Sequence, residues 1–217
     1  MEGTDPVNKK LAAALSGGAV LVVAATGCSS GGDKGPDPKL VSWAKTVCDA
    51  VPAQSTKIKS ANASIAAIAT DSNLPPKSAQ QTYVEAFQDL ADGYKTLANA
   101  LDTAGAPPGV DGGAKLQQDA SKNLAGLSTS YAELKKKVDG LDTKDQGKFA
   151  KGLKEVAIQT KEVGKQGDNG TQALKRLEQG DVKEAMAEQP SCKVAASAAG
   201  QPTGQLTGQA TGQATTG

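Results

Sequence analysis

The chain has 217 residues, a formal charge of +1 and only 3% aromatic side chains, with hydrophobics at 38%. One ordinary domain with processed or disordered ends fits that length, and the near balance of charge excludes both a nucleic-acid footprint and an acidic tail. There is no histidine, which removes the commonest general base, the commonest zinc ligand and the usual switch near neutral pH. No enzyme, metal site or cofactor is expected.

In chain order, Lys9 and Lys10 precede an apolar run from Leu11 to Ala25, followed by Thr26, Gly27 and Cys28. These are the parts of a signal peptide: a charged region, an apolar region, and small residues before a cleavage point. Ala25-Thr26-Gly27-Cys28 resembles the lipobox of bacterial lipoproteins, with Ala25 where Leu is usual and with Glu2 and Asp5 diluting the positive charge. The resemblance implies cleavage before Cys28 and acylation of its thiol. The alternative, an uncleaved membrane span, needs about 20 apolar residues, and Gly17, Gly18 and Gly27 weaken this stretch. The expected layout is a signal peptide over 1–27, a spacer over 28–37, a helical domain over 38–192 and a low-complexity disordered tail over 193–217. Two or three acyl chains hold a protein stably on a membrane where one does not. The expected location is therefore the outer face of the cytoplasmic membrane, with the membrane as first partner through Cys28.

Two cysteines remain, Cys48 and Cys192. In an exported chain they are most simply a disulfide, two free buried thiols being the alternative. Closing a loop of more than 100 residues is worth on the order of 4 to 5 kcal/mol in chain entropy.

Asp37-Pro38 reads as an N-cap with proline at the first helical position. Leu40, Ala44, Val47, Val51, Ile58, Ala61, Ile65 and Ile68 then step along one helix face, and Pro52 is expected to kink or break it. A capping box from Ser78 to Gln81 opens a second stripe of Tyr83, Phe87, Leu90, Tyr94, Leu97 and Leu101. A turn rich in Gly and Pro leads to a third stripe: Leu116, Ala120, Leu124, Leu127, Tyr131, Leu134, Val138 and Leu141. Another capping box, Thr143 to Gln146, opens a fourth with Phe149, Leu153, Val156, Thr160 and Val163. Gly164, Gly167 and Gly170 are expected to loosen the chain before a shorter stretch holding Leu174, Leu177, Val182, Ala185 and Met186, ended by Pro190. No segment alternates with period two. The predicted fold is all-α, an up-down-up-down four-helix bundle with a short extra C-terminal segment that brings Cys192 back to Cys48.

Three groups offer chemistry. Glu85, Asp89 and Asp92 share a helix face, where a solvated surface is the favoured reading over a catalytic or metal site. Lys135, Lys136 and Lys137, with Lys144, Lys148 and Lys151, concentrate positive charge that anionic head groups or wall polymers would attract, though Asp139, Asp142 and Asp145 dilute it. Trp43 reads first as core packing at the bundle end and second as a ligand contact.

Val41–Asp49 (VSWAKTVCD), the Ala/Ile-rich continuation to Ile68, the turn Ala104-Gly105-Ala106-Pro107-Pro108 and the late Pro190-Ser191-Cys192 resemble a group of actinobacterial lipoproteins described only as small secreted proteins. The resemblance implies an exported helical domain with two paired cysteines and carries no activity or functional residues. The expected function is an interaction or ligand-binding module of the envelope, with an envelope protein or a small apolar ligand as partner. The alternative is a structural or accessory subunit of a membrane or wall complex. An apolar cavity between the helices separates the two.

Overall fold

The computed structural model describes residues 35–71 and 73–199. Its elements are α1 (Pro38–Thr70), α2 (Pro76–Ala104), α3 (Gly113–Asp139), α4 (Gln146–Leu177), α5 (Asp181–Ala187) and α6 (Pro190–Ala199). No strand occurs among the described residues. The fold is all-α, with four long helices packed against one another, as the stripes predict. The lipobox and the tail beyond 199 lie outside the described residues.

The side chains show that consecutive long helices run antiparallel. At the start of α1, the Trp43 indole N–H donates to the Gly105 carbonyl at the end of α2, at 2.8 Å. Further along, Ile58 packs on Gly93, where a Cβ would stand 2.9 Å from its Cγ1; glycine is what lets α1 and α2 approach there. Between α2 and α3 the Gln117 amide donates to the Leu101 carbonyl at 3.0 Å, and at the opposite end the Gln80 amide donates to the Val138 carbonyl at 2.9 Å. Between α3 and α4, Ser130 donates to Gln166 at 2.8 Å, and Lys137 faces Glu155 at 3.6 Å. Closely packed pairs are α1–α2, α2–α3 and α3–α4, joined by α1–α5, α1–α6 and α5–α6. α4 therefore returns to the end where α1 begins, and α6 lies along α1 with Cys192 bonded to Cys48 across 144 residues of sequence.

α2 sits between two partners and buries a broad face that includes Ala79, Ala86, Phe87, Leu90, Ala91, Tyr94, Ala98 and Leu101. α4 closely packs against α3, and its buried set is a thin line at Phe149, Val156, Val163, Gly170 and Leu177, spaced by seven, with Ala173 beside it. That seven-residue step is the seam of a single helix pair.

Several local expectations are corrected. α1 runs unbroken through Pro52: proline withholds one N–H from the ladder, but the packed positions on both sides, Val51 and Ile58 among them, hold the helix together. The capping boxes are not used. α2 begins at Pro76 with Pro75 as its cap, so Ser78 lies inside the helix and its carbonyl accepts from Thr82. α4 is capped by Asp145, whose carboxylate accepts the Lys148 backbone N–H at 3.0 Å, leaving Thr143 in the turn. Gly164, Gly167 and Gly170 do not interrupt α4, which continues to Leu177; each costs helix stability of about 1 kcal/mol relative to Ala, which packing at the seam offsets. Leu174 and Leu177 belong to α4; the shorter stretch, α5, does end before Pro190, and Pro190 opens a further helix, α6. α6 continues to Ala199.

Leu90 is fully buried in the α2 face, so Leu90→Ala is expected to lower unfolding free energy by about 2–5 kcal/mol. Ile158, an exposed residue of α4, is expected to tolerate the same change within about 0.5 kcal/mol. Urea titration followed by the fluorescence of the single tryptophan, Trp43, measures both.

Candidate functional site

The residues singled out from sequence do not converge. Glu85 and Asp92 are exposed, and Asp89 is half-buried facing Lys57 of α1 at 3.6 Å; the three make a solvated face. The lysine-rich end is partly neutralised: Lys137 faces Glu155, and Lys148 faces Asp142 at 4.0 Å and Asp145 at 3.4 Å. The hydrogen bond from the Lys148 backbone holds the exposed Asp145 carboxyl below its ordinary range, so charge there is already matched locally. Trp43 is buried in the core, and its one polar atom is used on Gly105. Among the described residues, no group of three or more His, Cys, Asp or Glu is placed to hold a metal ion, and no helix is long and apolar enough to cross a membrane.

The interior is filled rather than hollow where the rings meet. Tyr83 stacks on Phe87 at 6.0 Å, Phe87 on Tyr131 at 6.2 Å, and Tyr131 on Tyr94 at 5.6 Å with planes 3° apart. Burial pushes the phenols of Tyr83, Tyr94 and Tyr131 up, Tyr131 furthest, so all three stay neutral and act as packing groups.

Among the described residues, a concave feature lies outside this core, in the groove between α3 and α4. It is an open trough of about 340 Å³, with Leu134 and Val163 as its apolar floor and Glu133, Lys137, Gln159 and Glu162 among its walls. The helical period puts Ser130, Glu133 and Lys137 on the α3 flank, one turn apart, with Gln159, Glu162 and Gln166 opposite. Its polar groups are largely held by neighbours, Ser130 on Gln166 and Glu162 on Lys165. Such a surface offers shape and hydrogen-bonding groups around an apolar floor. Sequence reasoning missed it because its walls are ordinary polar positions beside the two stripes, and only the α3–α4 pairing brings them together.

A second missed residue is Glu178, the residue that ends α4. Desolvation raises its carboxyl to about 7, with Lys175 opposing. Nothing in the local sequence shows that the α4–α5 corner covers it. Because the folded-state value is raised, the stabilisation is complete while the group is protonated in both states, at pH below about 4.5. It is lost as pH rises through about 7, where folding must bury a carboxylate. Glu178→Gln is expected to remove this part of the decline in stability between those limits, as read from thermal midpoints measured across the range.

Searches of protein-family models, curated proteins and solved structures found nothing that matches this chain.

Proposed function

We propose that the protein is a lipid-anchored component of the cell envelope that acts by surface recognition of another envelope component, and not an enzyme. The lipobox-like Ala25-Thr26-Gly27-Cys28 after an apolar run supports the anchor, and the Cys48–Cys192 bond is of the kind that persists in exported proteins. The resemblance of Val41–Asp49 and Pro190-Ser191-Cys192 to actinobacterial secreted lipoproteins points the same way. With α1 starting at Pro38, the spacer from Cys28 keeps the first turn of the bundle within about 35 Å of the anchor point.

The observation that carries the recognition reading is the α3–α4 trough: an open, polar-walled groove on the bundle's flank. Its walls favour a polar partner surface over the small apolar ligand, which needs an enclosed apolar chamber. A second reading, a structural or accessory subunit, is favoured by α1 itself: 33 residues at 1.5 Å each make a rod of about 50 Å, long enough to hold a partner away from the bilayer.

Two measurements test the proposal. Cys28→Ala is expected to move the protein from the membrane fraction to the soluble one, and continued sedimentation with membranes would contradict the anchor. Glu133→Lys with Glu162→Lys reverses the trough's charge and is expected to weaken cross-linking to its neighbour in intact membranes about tenfold or more, whereas Asp92→Lys on the solvated face leaves it unchanged. Equal cross-linking in all variants would leave the spacer reading.

A further inference from the structure

We propose that α5 and α6 form a redox-latched strap. It is closed over the first half of α1 when Cys48 and Cys192 are joined and comes away when they are thiols, while the α1–α4 body stays folded. This goes beyond the recognition reading and does not rest on it.

The packing divides the molecule in this way. The long helices are held by their own seams, α1–α2, α2–α3 and α3–α4, whereas the closely packed partners of α5 and α6 are α1 and each other. Helices of 7 and 10 residues fall below the roughly 12–15 residues at which an isolated helix becomes even marginal in water, so the strap keeps its shape by docking. Among its residues up to 194, whose burial is described, the buried apolar ones are Val182, Ala185, Met186 and Cys192. Two side-chain hydrogen bonds beside them join the strap to α1, one long and one exposed. The Gln189 amide reaches the Val41 carbonyl at 3.5 Å, and the Ser191 hydroxyl donates to the exposed Asp49 at 2.9 Å. The joint to α4 is residues 178–180, where Gly180 takes a left-handed φ of 56° that other residues resist. A short strap with a glycine joint and one covalent pin depends on the pin.

Access to the sulfurs follows from the same geometry. Cys48 is 0% and Cys192 5% exposed, so an external thiolate reaches them only after the strap lifts locally. The exchange is balanced. A thiolate of a dithiol reductant attacks one sulfur and the other leaves as a thiolate. The reductant's second thiol then resolves the mixed disulfide, so two electrons pass to the cysteines, which take up two protons as thiols, and the reductant ends as its own disulfide. An oxidised dithiol protein closes the latch by the reverse steps.

The test is amide hydrogen exchange on the mature full-length chain in three forms: oxidised, reduced with a small-molecule dithiol, and Cys48→Ser/Cys192→Ser. Peptides from residues 181–199 are expected to lose protection by about 100-fold or more in both bond-free forms, while peptides from α2 and α3 stay within about threefold of the oxidised protein. The proposal is overturned if 181–199 keeps its protection without the bond. It is equally overturned if protection falls together across α2 and α3 in the reduced wild-type chain, for then the strap and the body are one unit.

Discussion

The stack of Phe87, Tyr131 and Tyr94 across the α2–α3 seam is the contact around which the rest of the bundle is arranged. A chain with two phenylalanines, three tyrosines and one tryptophan has few large side chains to spend, and four of the six meet in this one run of rings. Elsewhere burial comes from aliphatic side chains such as Leu40, Leu124 and Leu134 and from small residues that let backbones approach, such as Ala44, Ala91, Ala98 and Ala120, with Gly93 admitting Ile58. α2 and α3 each lie between two long helices, α2 between α1 and α3 and α3 between α2 and α4. α4, with its thin seam, packs closely against α3 and leaves the polar-walled trough beside it.

The polar groups that reach between helices fix register more than they add chemistry. Asp102 of α2 accepts from Gln117 at 3.1 Å and from Ser121 at 2.6 Å on α3, and Gln80 donates to the carbonyls of Val138 and Asp139 at the far end of α3 and of Leu141 in the turn beyond. Both ends of the α2–α3 pair are thereby pinned. A one-turn slip would leave these groups unpaired at a cost of about 1–3 kcal/mol each.

The helical stripes were readable because burial on one face imposes a period near 3.6 that few other structures share. The pairing of Cys48 with Cys192 followed from the compartment and the even helix count, and the structure places their Cα atoms 5.0 Å apart. What misled was local punctuation. Ser78–Gln81 and Thr143–Gln146 have the spacing of capping boxes, but Pro75-Pro76 and Asp145 start the helices elsewhere, because a cap is chosen by where the turn leaves the chain as well as by residue type. Gly164, Gly167 and Gly170 look like a break, yet Gly170 fits against Leu127 of α3, and a packed seam outweighs weak intrinsic propensity. The trough and the covered corner at Glu178 were not readable, since each depends on which helices become neighbours.

The strap and the N-terminal spacer meet the body at the same end, that of the early turns of α1. Under the proposed anchor at Cys28 this end faces the bilayer, while the α1–α2 and α3–α4 turns point outward and the trough runs along the flank between. The proposed recognition would then take place on the side of a rod standing off the membrane, with the disulfide near its base.

The most direct measurement of this account is the intact mass of the protein extracted from its own membranes, first under denaturing and then under native conditions. The account predicts a chain lacking residues 1–27, carrying acyl chains on Cys28 and lighter by two hydrogens than its dithiol form, with an envelope component retained in the native spectrum. A full-length or unacylated chain would contradict the anchored placement on which the proposed function rests.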